Sequence, residues 1–169
     1  MQKAHFKALV IFLVTAYFMH NAISLNWCFF DWVNLFIHEG GHFLFMPLGQ
    51  FIYVAGGSLF QSLVPLLLMI YFFRQRDNFA GSFVMMWLGQ TLVNTSIYIK
   101  DAELLRLHLL GGGLHDWNYL LSELGVLHMA GGIGLSFHIM GMVIIIIGCC
   151  LGIYYSLYEQ EEVSSDNEL

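Results

Sequence analysis

Charge is scarce in this chain. Of its 169 residues only 11% are Asp, Glu, Lys or Arg, where a soluble domain carries about 25%. That excludes an ordinary water-facing surface over most of the length. Hydrophobic residues make up 58% and aromatics 16%, and the mean hydropathy is +0.69. The formal net charge is −6, but much of the acid sits in the terminal "YEQEEVSSDNEL", so 159–169 is expected to be a solvated, disordered tail. No nucleic-acid partner is expected. Cysteine is also sparse: Cys28, Cys149 and Cys150 show no C-x-x-C spacing, which excludes a disulfide framework and leaves them as small buried hydrophobes. The N-terminus "MQKAHFKALVIFLVTAYFMH" lacks a small-x-small cleavage site and is read as a retained first span.

What the chain does have is long apolar runs. A membrane span needs roughly 20 mostly apolar residues. Candidates are Ala8 to Leu25, Trp27 to Leu48, Phe51 to Phe73, Phe79 to Ile99, a weaker Tyr119 to Met140, and Ile139 to Tyr158 with "MVIIIIGCCLGIYY". The expected fold is an all-α membrane protein, a polytopic bundle of five or six transmembrane helices over residues 1–158. It is expected in the cytoplasmic membrane of a bacterium, with the lipid bilayer as its surroundings. Lys3 and Lys7 favour a cytoplasmic N-terminus. Arg74 and Arg76 fit that only if "LGQFIYVAGGS" is re-entrant, so orientation stays open. Glycines punctuate the second half at Gly111 to Gly113, Gly131, Gly132 and Gly134. Gly148 and Gly152 form a G-x-x-x-G, suited either to packing within the chain or to a homo-oligomer.

One span carries groups that resist burial. "HEGGH" within "NLFIHEGGHFLFM" is an H-E-x-x-H sequence. On a helix His38 and His42 lie one turn apart on one face, so both imidazoles can reach one zinc ion. Glu39 projects beside them, where it can take a proton from zinc-bound water. The competing reading is a polar helix-packing cluster, but intramembrane ionisable residues mark function by default. Asp31 and Asn34 share the face with His38, either as partners that orient an imidazole or, for Asp31, as a marker of the water interface. Gly40 and Gly41 admit either a substrate backbone or a neighbouring helix.

A catalytic zinc takes three protein ligands and keeps an open position. The third ligand must come from elsewhere in the chain. Asp116, in "GGGLHDWNYLL", is favoured, with His115 and Asp101 as rivals. Asp116 could instead cap a helix starting at Trp117, and Asp101 could pair with Lys100 or Arg106. Asn94, late in the fourth span, is a candidate donor to a developing oxyanion or interhelical glue. His5, His20, His108, His128 and His138 read as packing residues.

An H-E-x-x-H within a membrane span, followed by further spans and a later aspartate after a glycine-rich turn, resembles the site-2 protease family of intramembrane zinc metalloproteases. "HEGGH" matches that family's first motif in full. The second motif there is typically an asparagine-proline stretch leading to leucine-aspartate-glycine, whose aspartate is the third ligand. Here "GGGLHDWN" keeps the aspartate without the following glycine or the preceding proline stretch. The resemblance covers about Trp27 to Asn118, with no inserted PDZ-like domain, and describes a compact, divergent member. It implies a zinc metallopeptidase with one Zn2+ per chain, cleaving a membrane protein or peptide in or near a spanning segment, with Glu39 as general base. A non-catalytic metal-binding or transport-type membrane protein is the alternative. A di-iron hydroxylase or desaturase is a weaker one, because the eight histidines include no H-x-x-H-H box.

Overall fold

The computed structural model describes residues 2–107 and 114–166, with side chains over 4–107 and 114–157. His108 and Gly111 to Gly113 lie outside the described residues. The described chain is all helical: α1 (Gln2–Ser24), α2 (Phe29–Phe45), α3 (Gln50–Arg74), α4 (Asn78–Asp101), α5 (Asp116–Glu123) and α6 (Ala130–Asp166), with single 3-10 turns at Met46–Leu48 and Leu127–Met129. Of the acidic tail, 159–166 continues the backbone of α6 and 167–169 lie outside the description.

Three helices are long and apolar enough to cross a membrane: Ala4–Ser24, Gln50–Arg74 and Leu127–Leu157, with mean hydropathies of 1.6, 1.7 and 2.3. The expected second and fourth spans are helices, α2 and α4, but of another kind. α2 has 17 residues, at the short end of what a span needs, and the 3-10 turn Met46–Leu48 follows it directly. α4 is long enough, yet Gln90, Thr91, Thr95, Ser96 and Asp101 are among its buried residues.

One expected span and one considered alternative are corrected. Tyr119 to Met140 is not a span of its own. α5 stops at Glu123, Gly125 turns the chain at φ +71, and α6 begins at Ala130. The "LGQFIYVAGGS" segment is not re-entrant either, because α3 runs unbroken through Gly56, Gly57 and Ser58. The break falls earlier, at the Met46–Leu48 turn and Gly49, whose φ of +90 suits a residue without a Cβ.

α4 is the centre of the bundle, with fourteen of its 24 residues buried. One side packs on α1 and α6 through an apolar cluster of Ile11, Phe18, Met86, Val93 and Ile145. The Gly148 and Gly152 pair is used here, within the chain. A Cβ on Gly148 would lie 2.7 Å from Met86 Cγ, and one on Gly152 would lie 2.8 Å from Ile11 Cδ1. The other side of α4 faces α2 and α3, and there the interior is polar.

Candidate metal centre

α2 is built inside out. Its buried residues are Asp31, Asn34, His38 and Gly41, spaced by three and four so that they share one face. Its large apolar residues point away: Phe36 is 76% exposed and Phe43 77%, while Asn34 is 0%. In water this pattern would be backwards. A helix that turns phenylalanines outward and amides inward is arranged for an apolar surrounding.

One turn apart on that helix, the two imidazoles converge on a carboxylate from α5. His38 Nε2 lies 2.8 Å from Asp116 Oδ2, His42 Nε2 lies 3.2 Å from the same oxygen, and the two Nε2 atoms are 3.0 Å apart. Among the described residues this is the one group of three or more His, Cys, Asp or Glu side chains close enough to share an ion. The chemistry of the donors fits a divalent metal. His42 Nδ1 is 2.9 Å from the Tyr53 carbonyl oxygen, which can only accept, so Nδ1 carries the proton of the neutral ring. His42 Nε2 then presents a lone pair to a carboxylate oxygen that is also an acceptor. Such a pairing needs a proton or a cation between them. Two imidazoles and one carboxylate are also a recurrent zinc set that leaves a position open.

The space is reserved as well as the ligands. A Cβ on Gly57 of α3 would lie 2.6 Å from His38 Nε2 and 2.7 Å from His42 Nε2. Any larger residue would fill the space in front of both Nε2 atoms. Glycine inside a helix costs about 1 kcal/mol relative to alanine, and here that loss keeps the centre open. Next to it, Gly41 lets α2 approach so closely that a Cβ there would meet the Gly56 carbonyl oxygen.

α5 delivers the aspartate. Its first residue is Asp116, and His115 is the N-cap, with Nδ1 accepting from the Asn118 backbone N–H at 3.2 Å. The capping role considered for Asp116 therefore belongs to His115. Trp117 Nε1 donates to Ser58 Oγ of α3 at 3.0 Å, and Asn118 Nδ2 donates to the Ala102 carbonyl at the end of α4 at 2.8 Å. The Asp116 backbone N–H donates to the Tyr98 hydroxyl oxygen at 3.2 Å. These bonds fix the start of α5 against α3 and α4.

The two rival ligands are placed outside the triad. Asp101 accepts from the backbone N–H groups of Arg106 and Leu107 at 2.9 and 3.0 Å, closing the turn after α4. Its Oδ2 faces His115 Nε2 at 3.5 Å, too long for a hydrogen bond. Burial pushes the His115 imidazole below its ordinary range, in keeping with a neutral cap.

Glu39 and Asn94 line the same cavity as the triad, a space of about 470 Å³. That lies within the roughly 300–1,000 Å³ usual for ligand-binding clefts. Asn94 also belongs to the polar interior: its Nδ2 donates to Asp31 Oδ1 at 2.7 Å and its Oδ1 accepts from Gln61 Nε2 at 2.8 Å. Asp31 is buried, 4% exposed, and bonded within this polar interior. Sequence reasoning did not reach Gln61, whose Oε1 lies 3.1 Å from His38 Nδ1. It is a lone amide deep in the apolar run of α3, the same signal that drew attention to Asn94. The Tyr53 carbonyl leaves no trace in side-chain chemistry. Compared with known protein families, with curated proteins and with solved structures, the chain matches none.

Proposed function

We propose that this chain is a multi-pass intramembrane zinc metalloprotease, hydrolysing a peptide bond in or near a membrane-spanning segment of its substrate. The observation that carries the reading is the convergence of His38, His42 and Asp116 at the wall of a cavity that Glu39 also lines. Zinc, when bound, polarises a scissile carbonyl and makes a water more acidic. Glu39 takes the proton from a water in the cavity and passes it to the leaving amine. His38, His42 and Asp116 hold the ion, and Gly57 keeps a side chain out of its place. Asn94, on the same wall, has a second amide hydrogen with which to stabilise developing negative charge.

The test compares zinc-loaded wild type with Glu39→Gln in isolated membranes, searching for new peptide termini by mass spectrometry. The proposal expects cleavage with wild type, none with Glu39→Gln or after chelation, and unchanged zinc content in the variant. Zinc-loaded wild type that produces no new termini would favour a non-catalytic metal-binding protein.

A further inference from the structure

Asp31 lies two turns before His38 on α2 and is buried among amides. Its carboxylate accepts three hydrogen bonds, from the Cys28 backbone N–H at 2.5 Å, Gln90 Nε2 at 2.7 Å and Asn94 Nδ2 at 2.7 Å. With the Cys28 N–H on one oxygen and Gln90 Nε2 on the other, the carboxylate is an acceptor toward Asn94, which turns its NH2 toward it. Asn94 Oδ1 then faces Gln61 and must receive Gln61 Nε2, at 2.8 Å. That turns Gln61 Oε1 toward His38 Nδ1, at 3.1 Å, where it can only accept. His38 Nδ1 therefore carries the ring proton, and Nε2 offers its lone pair beside Asp116.

A second chain of amides ends on the same oxygen with matching polarity. Trp87 Nε1, which can only donate, gives to Asn34 Oδ1 at 3.0 Å. Asn34 Nδ2 gives to Gln90 Oε1 at 2.7 Å, and Gln90 Nε2 gives to Asp31 Oδ1. Turning any one of these amides over would set donor against donor or acceptor against acceptor at one of its ends.

We propose that Asp31 is a positioning residue for the metal centre: through Asn94 and Gln61 it fixes the His38 tautomer that presents Nε2 to the ion. The inference rests on the metal-centre reading for its purpose, but the tautomer is measurable without metal. His42 is an internal control, since its Nδ1–H is held by the Tyr53 carbonyl and not by the relay.

The measurement is a long-range 1H–15N correlation spectrum of metal-free, histidine-labelled protein in detergent, with His38 and His42 assigned by substituting each in turn. Zinc affinity is measured on the same samples. Wild type should show Nδ1–H at both rings, with the proton that the metal-free triad needs lying between the two Nε2 atoms and Asp116 Oδ2. The relay is cut by Asn94→Ala or by Asp31→Leu. Each is made with Thr95→Val, because Thr95 Oγ1 is a weaker acceptor for Gln61 Nε2 at 3.4 Å. Either cut should move His38 toward Nε2–H, leave His42 unchanged, and weaken zinc binding by roughly 10–100-fold. Adding Gln61→Glu gives His38 an obligate acceptor, and should return both the tautomer and the zinc affinity to those of Gln61→Glu alone. A His38 that keeps Nδ1–H when the relay is cut, or a loss that Gln61→Glu does not repair, would overturn the proposal. Failure of wild type to bind zinc, with the tautomers as stated, would instead remove the metal reading and leave the relay standing.

Discussion

The two sides of α4 are held by different physics. Toward α1 and α6 it offers Met86 and Val93 to Ile11, Phe18 and Ile145. Toward α2 and α3 it offers Gln90, Thr91 and Asn94 to Asp31, Asn34 and Gln61. In water the apolar side would supply most of the stability. In lipid an isoleucine gains little by leaving acyl chains for another helix, and packing closeness becomes the main attraction there. The polar side has no such freedom. Amides and a carboxylate facing hydrocarbon would each cost several kcal/mol, so their pairing dictates where α2 and α3 sit. The apolar side gives the bundle its shape, and the polar side gives it a register in which two imidazoles meet one aspartate.

That contrast can be broken most severely at the ligands. Asp116→Ala should abolish stoichiometric zinc binding, a larger loss than the roughly 10–100-fold expected for an orienting partner, while α1, α4 and α6 keep their packing. Circular dichroism with metal analysis reads both. Gly57→Ala should come next. Its methyl would crowd both Nε2 atoms, so zinc affinity should fall at least tenfold although alanine is the better helix former by about 1 kcal/mol. Gly132→Ala, where a Cβ meets nothing within 4 Å, is the control and should leave zinc unchanged.

On the apolar side the order of effects reverses. Ile145→Val should cost about 0.5–1.5 kcal/mol of stability, read by denaturant titration in micelles, with no change in zinc content. If it lowered zinc affinity, the two sides of α4 would not be independent. The smallest effect belongs to His115→Asn. Asparagine caps a helix well, so stability should change by less than about 1 kcal/mol and zinc should stay bound.

His38 and His42 were legible because helical periodicity alone brings i and i+4 to one face, and Glu39, the next residue after His38, lines the same cavity. Asp116 was legible as a candidate by its place after the "GGGLH" sequence, but nothing local separated it from His115. That choice is made by the bonds of Trp117 and Asn118 to α3 and α4, which are tertiary. The Tyr119 to Met140 region misled because average hydropathy does not register a single Gly125 turning the chain. The polar interior of α4 escaped for a related reason: hydropathy counts apolar residues without saying which face they occupy. Tyr53 contributes a backbone carbonyl, which every residue has, so only the fold can select it.

The most direct test of the metal centre is zinc content by elemental analysis of detergent-purified protein prepared without chelator. Wild type is compared with His38→Ala, Asp116→Ala, His115→Ala and Asp101→Ala. The proposed metal centre predicts about one zinc per chain in wild type, His115→Ala and Asp101→Ala, and none in His38→Ala or Asp116→Ala. Zinc retained in Asp116→Ala, or lost in His115→Ala with the fold intact, would contradict the assignment.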